Sequence, residues 1–216
     1  MERSVLLELM SGGRGLSERH REVLRHAMQL IAERGYRGAS LRELARRVGM
    51  RQPSLYHYFE SKSELVEQII QTFGVGGSAN DPPPEFPLPS EPTDAPQAIA
   101  ALVAYLYDHT DWPTFVRFVF QLAFEAPEHA PRLRAMFTET SDRLFRAAVR
   151  PWAERGELSE DELVHVCRMV ANAVGLAYME ERLVFPGEPR HGWLGDYVAF
   201  VVRFTTEGIL RARRVP

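Results

Sequence analysis

Apolar residues along this chain recur at the three-and-four spacing of amphipathic helices, and no segment alternates convincingly as a half-buried strand would. Val23, Ala27, Leu30 and Ile31 follow Ser17 and predict a helix to about Arg34, ended by Gly35. Leu41, Leu44, Ala45 and Val48 follow Ser40 and predict a second, with Ser40 and Glu43 as its capping box and Gly49 as its stop. Leu55 and Phe59 are the buried side of a short third helix with Pro53 in its first turn. Ser61 and Glu64 cap a fourth, to about Phe73, with Leu65, Ile69 and Ile70 inward. Residues 74–93 are rich in glycine and proline and predict an extended linker or loop. Beyond them the pattern predicts helices from Asp94 to about Asp108, from Pro113 to about Phe124, and from Pro131 to about Arg155, the last bent by Pro151 and ended by Gly156. Ser159 and Glu162 cap another to about Phe185, Pro186-Gly187 breaks it, and a final helix spans about Gly192 to Arg213. The expected fold is all-α with about nine helices. Residues 1–16, which carry Gly12, Gly13 and Gly15, form a flexible arm in this reading, and 17–73, 74–93 and 94–216 follow as head, linker and helical body.

The stretch Ser40–Lys62 carries the chemistry. Helix, glycine turn and helix is the arrangement whose second helix enters the DNA major groove. Arg51 and Gln52 can each bond two base-edge atoms, and Ser54, Tyr56 and His57 can reach bases or phosphates. Ser40, Arg42, Pro53 and Tyr58 complete the candidate surface. Lys62, at a helix N-terminus, is a candidate phosphate contact, because its charge and the free N–H groups both favour an anion. A polar helical face with no partner would account for the same residues.

Gly35, Ser40, Leu41, Ala45, Val48, Gly49, Leu55-Tyr56, Phe59, Ser61-Lys62 and Leu65 together resemble the DNA-binding domain of the TetR family of bacterial repressors, with PSLYHYFESK the most specific run. The resemblance covers about Leu24 to Leu65. It departs at Arg51, where a small capping residue is common, at Pro53, often glycine, and at His57-Tyr58, commonly Tyr-His. The division of base and phosphate contacts among these positions is therefore left open. The resemblance implies a homodimer on palindromic operator double-stranded DNA, a small-molecule effector bound in the body, and repression relieved by that effector.

Charge is distributed accordingly. Residues 1–73 hold 12 Lys/Arg against 9 Asp/Glu, although the chain as a whole is at −3. Arg37, Arg42, Arg46, Arg47, Arg51 and the only lysine, Lys62, lie within 26 residues. A solvated charged face is the plainer account of such a cluster taken alone. Arg3 and Arg14 of the arm are candidates for the minor groove. A single cysteine, Cys167, fits the cytoplasm, and MERSVLLELM is too short and too acidic for a secretory signal. No apolar run approaches a membrane span of about 18 residues. The seven histidines are scattered, with no HxxxH, CxxC, GxSxG or phosphate-cradling glycine loop, so neither a metal, a cofactor nor an enzyme is expected.

The final helix has two apolar stripes, Trp193, Tyr197, Phe200 and Phe204 beside Leu194, Val198, Val201 and Ile209, too wide for one contact. The helix before it offers small residues, Ala171, Ala173, Gly175 and Ala177. Val170, Val174, Ala177, Tyr197, Phe200, Val201 and Phe204 are the candidate seam of a dimer built from two helices of each copy. Residues 105–152 are aromatic-rich and suggest a mostly apolar effector. Tyr105, His109, Phe115, Phe118, Phe137, Asn172 and Tyr178 are the candidate contacts, although each alone fits an ordinary core as well. A helical interaction protein without specific DNA binding is the competing reading.

Overall fold

The computed structural model describes residues 16–74, 94–109, 111–140, 142, 145, 146, 149, 153, 159–184 and 193–212. Among these the chain is all-α, with nine α-helices and no strand. Helix α1 is Glu18–Gly38, α2 Leu41–Arg47, α3 Gln52–Leu55 and α4 Lys62–Phe73. The serines predicted as caps close the helix starts: Ser17, Ser40 and Ser61 accept the N–H of His20, Glu43 and Glu64. Only half of each box forms as expected, because the Glu43 carboxylate turns to Arg47 at 3.3 Å and Glu64 accepts the Glu60 N–H at 2.6 Å instead of that of Ser61. Gly49 stops α2 with a φ of 65°, and the Met50 and Gly49 N–H groups close on the Ala45 and Arg46 carbonyls at 2.8 and 3.3 Å. Gly35 does not end α1. It breaks the helix at φ 77°, ψ 163°, and one more turn follows to Gly38.

The body contains α5 (Ala95–His109), α6 (Trp112–Glu125), α7 (Ala130–Ala135), α8 (Glu160–Met179) and α9 (Trp193–Ala212). The long helix expected from Pro131 is not uniform. A 3₁₀ turn at Pro127–His129 precedes α7, and a π turn at Met136–Thr140 follows it. Described residues between 142 and 153 are helical, whereas Pro151, Gly156, the arm, residues 75–93 and Pro186-Gly187 lie outside the described residues. Ser159 and Glu162 form the full capping box of α8, and a second π turn, Glu180–Val184, extends that helix.

By packing, the described residues within Leu6–Pro83 and Thr114–Ser141 make one compact unit, and those within Pro84–Pro113 and Asp142–Pro216 another. The stretch 114–141, which the sequence alone groups with the body, thus packs with the head. In the first unit Val23, Leu24, Ala27, Met28, Leu30, Ile31, Leu44, Leu55, Phe59, Leu65, Val66, Ile69, Phe115, Phe118 and Leu122 are all buried. In the second, Ala100, Val103, Tyr107, Val170, Val174 and Val201 form one apolar cluster, and Ala95, Val149, Leu163, Val164 and Cys167 another. None of the described helices is long and apolar enough to cross a membrane.

Candidate nucleic-acid interface

The reading segment is a single helical turn. Its hydrogen bonds run from residue i+3 back to residue i: Ser54 N–H to the Arg51 carbonyl at 2.9 Å, Tyr56 to Pro53 at 3.3 Å, and Tyr58 to Leu55 at 2.9 Å. So short a helix has little stability of its own and is held by what it buries. Leu55 is fully buried and Phe59 is 2 % exposed. With those two inside, Arg51, Gln52, Pro53, Tyr56 and His57 face solvent, and Ser54 is half-buried. Ser40 and Arg42, at the start of α2, are exposed as well. Among the described residues the side chains of Arg42, Arg51, Gln52 and His57 make no hydrogen bond or ion pair that would occupy them. Arg51 stands at the N-cap of α3 without capping it, which leaves its guanidinium for a ligand.

The tail of the segment is fastened from behind. Gln68 on α4 donates from Nε2 to the Tyr58 carbonyl at 3.0 Å and to Glu64 at 2.9 Å, and its Oε1 lies 2.7 Å from His20 Nε2 on α1. With the amide nitrogen facing two acceptors, the amide oxygen faces His20, so His20 Nε2 is the donor of that pair. The Tyr58 ring meets the His20 ring edge-on at 5.2 Å. Tyr58 is therefore part of the scaffold, as is Arg47, which is bound to Glu33 at 2.6 and 3.2 Å and to Glu43. These bonds hold the Glu33 carboxyl below its ordinary range. Arg19 donates to the Val48 carbonyl and ties the start of α1 to the end of α2.

Lys62, expected at a phosphate, is directed inward. Its ammonium donates to the carbonyls of Tyr36 and, at 2.6 Å, of Ala39, and sits 4.4 Å from the centre of the Tyr36 ring. Burial pulls its pKa below the ordinary lysine value, with the charge of Glu125 opposing the shift. Glu125, the last residue of α6, accepts the Arg37 N–H at 2.8 Å, and its carboxylate lies where a Cβ on Gly35 would fall. His129, 2 % exposed, pairs through Nδ1 with Glu67 of α4 at 3.1 Å, while its Nε2 finds no hydrogen-bond partner among the described residues. None of Glu125, His129 or Gln68 stands out in the sequence, because their partners lie 88, 62 and up to 48 residues away.

Residues 23–69 match the model of bacterial regulatory proteins of the tetR family. This stretch is a DNA-binding domain of the TetR type. Over 59 residues it is 42% identical to the HTH-type transcriptional repressor KstR2 of Rhodococcus jostii, a match spanning 27% of this chain and 29% of that protein. The sequence match to that relative thus covers less than a third of its length. Two solved structures share the fold along most of the chain. The ketosteroid transcriptional regulator KstR2 of Mycobacterium tuberculosis has a TM-score of 0.55 at 20% identity and covers 90% of this chain and 97% of its own. The TetR family regulator PfmR of Thermus thermophilus has a TM-score of 0.54 at 24% identity and covers 88% and 97%.

Val170, Val174 and Val201 belong to the buried cluster of α5, α8 and α9, and Ala177 is 2 % exposed. The chain itself already covers all four, which leaves them little surface to offer a second copy. Phe200 and Phe204 are 51 % and 62 % exposed and stack at 5.9 Å. Tyr197 packs partly on the cluster and stacks with Trp193 at 5.6 Å. Met169 and Leu176 on α8, not singled out by the sequence, are exposed as well. A Cβ added at Gly175 or Gly208 would meet nothing within 4 Å. Among the effector candidates, Phe115 and Phe118 are fully buried and Phe137 is exposed, all in the unit that holds the head. Tyr105 and Tyr178 are half-buried in the other unit, where the Tyr178 ring lies 5.5 Å from that of Tyr107. Asn172 is exposed, and the His109 side chain lies outside the described residues.

Proposed function

We propose that this chain is a ligand-responsive transcriptional regulator that binds palindromic operator DNA as a homodimer in the cytoplasm, and that it acts as a repressor. The observation that carries the reading is the single-turn segment at 51–57, which is anchored by the buried Leu55 and the following Phe59 and offers Arg51, Gln52, Tyr56 and His57 outward with no internal partner among the described residues. Two long donor side chains with free hydrogen-bonding capacity at a helix N-terminus suit base edges. Repression is supported by the R. jostii relative, whose name says it is a repressor and whose likeness lies in this domain.

Dimerisation is assigned to the exposed stripe of α9, Phe200 and Phe204, together with Met169 and Leu176 of α8. Two copies of each helix would bury it as a four-helix seam. A small, mostly apolar effector is assigned to the aromatic end of the body, with Tyr105 and Tyr178 as its polar contacts. It acts only if it binds one spacing of the two heads better than another, and operator must then weaken effector binding by the same factor. The testing experiment is selection of genomic fragments by the purified protein. A palindromic site beside a promoter is expected. Recovery of no enriched site, with the helical dimer intact, would favour an interaction protein instead.

A further inference from the structure

Past the helix break at Gly35 the Ala39 N–H still returns to the Gly35 carbonyl, while the Arg37 N–H and the carbonyls of Tyr36 and Ala39 are met by two side chains from distant elements. A broken helix exposes carbonyls with no N–H above them and N–H groups with no carbonyl below. Lys62 covers two of the carbonyls, Tyr36 and Ala39, and packs against the Tyr36 ring. Glu125 covers the Arg37 N–H and fills the space that only a glycine at 35 leaves. The other edge of this knot is closed by His129, whose ring meets Tyr36 at 5.8 Å. Residues 36–39 lead directly into Ser40, the cap of α2, and so set the angle at which the reading head leaves α1.

We propose that Lys62 and Glu125 are positioning residues, which grip residues 35–39 from two sides to aim the reading head, and that neither touches DNA. The proposal rests on the DNA-binding reading above. A lysine has three protons to donate, and here two are committed to carbonyls while the ammonium also faces a ring. Moving the ammonium to a phosphate would uncover both carbonyls and undo the contact that shapes the break. Glu125 is an anion and cannot serve as a phosphate contact. Its location at the end of α6 makes the aim of the head depend on where that helix ends.

The test is fluorescence anisotropy over a series of salt concentrations, with the DNA duplex that the wild-type protein selects from a random library. Lys62→Met and Glu125→Ala are each expected to weaken binding roughly tenfold, the scale of a lost hydrogen bond to a charged group. The salt dependence of Lys62→Met should match that of the wild type. Were Lys62 a phosphate contact in each copy of a dimer, the slope would fall by ~1.8. Glu125→Ala removes a negative charge, which by electrostatics alone would tighten DNA binding, so its weakening is a sign that only positioning gives. The double variant should be little worse than either single one, since one grip is lost in each case. A shallower salt slope for Lys62→Met, or unchanged or tighter binding by Glu125→Ala, overturns the proposal. Should Lys62→Met not fold by circular dichroism, the sign of the Glu125→Ala effect decides alone. A wild-type protein that selects no duplex overturns the DNA-binding reading and this proposal with it, whereas failure of the variants' predictions on a duplex the wild type does bind overturns only the proposal.

Discussion

Replacing Phe204 by aspartate should separate assembly from folding. The side chain is 62 % exposed in the single chain and, among the described residues, stacks on Phe200, itself 51 % exposed, so the fold of one copy draws little from it. A phenylalanine carries roughly 200 Å² of surface, so covering the exposed share buries about 120 Å² per copy. At ~25 cal/mol per Å² this is about 3 kcal/mol per copy. A twofold seam loses it twice, about 6 kcal/mol, which is roughly four orders of magnitude in the dimer dissociation constant. The aspartate charge, desolvated in the seam, adds to that loss. Val174→Asp is the control: Val174 is fully buried within the chain's own cluster, so there the charge should unfold the copy itself. Sedimentation over a concentration series with circular dichroism distinguishes the two. Phe204→Asp should sediment as a monomer of normal helicity, and Val174→Asp should lose helicity. A Phe204→Asp protein that dimerises as tightly as the wild type would refute the assignment of this stripe to the seam.

Arg51→Ala or Gln52→Ala should cost ~1–3 kcal/mol on the selected site and relax its sequence preference. Equal losses on selected and random duplexes, compared by anisotropy, would reassign both to phosphate. Gly49→Ala should destabilise the head by about 1 kcal/mol through its left-handed backbone alone, since a Cβ there meets nothing within 4 Å, and chemical denaturation reads this directly. Burial pushes the Cys167 thiol up to about 12, so it should resist alkylation at pH 8 until the chain unfolds. The same shift has a stability consequence. A thiol raised above its unfolded value of 9.0 stays protonated in the fold while the unfolded chain ionises, so its contribution falls as pH rises from about 9 toward about 12. Denaturation midpoints across that range, compared with Cys167→Ala, check the sign.

What the sequence revealed is what short-range rules govern. The serine caps at 17, 40, 61 and 159, the left-handed stop at Gly49 and the buried pair Leu55 and Phe59 each depend on residues within four positions, and each is present in the structure. Contacts closed through space were not legible. Lys62 looks like a phosphate ligand from its place at a helix start, and only the carbonyls of Tyr36 and Ala39, brought over it by the break at Gly35, turn it inward. Glu125 is one acidic residue among many until its carboxylate is found on that break. In α8 periodicity defines two stripes but not their roles. Leu163, Cys167, Val170, Val174 and Ala177 are the buried one, while the exposed one, Met169 and Leu176, is interrupted by Asn172 and reads as polar surface. The 3₁₀ and π turns around α7 carry no signal at all, because their apolar spacing imitates that of a regular helix.

The central claim, specific DNA recognition by residues 51–57, is tested most directly by one comparison. The duplex selected by the wild-type protein is titrated beside a scrambled duplex of the same composition at physiological salt. A specific reader should prefer the selected duplex by roughly a thousandfold or more, with half-sites about one helical turn or a multiple of it apart. Equal affinity for the two would contradict the account, leaving binding to the phosphate backbone alone.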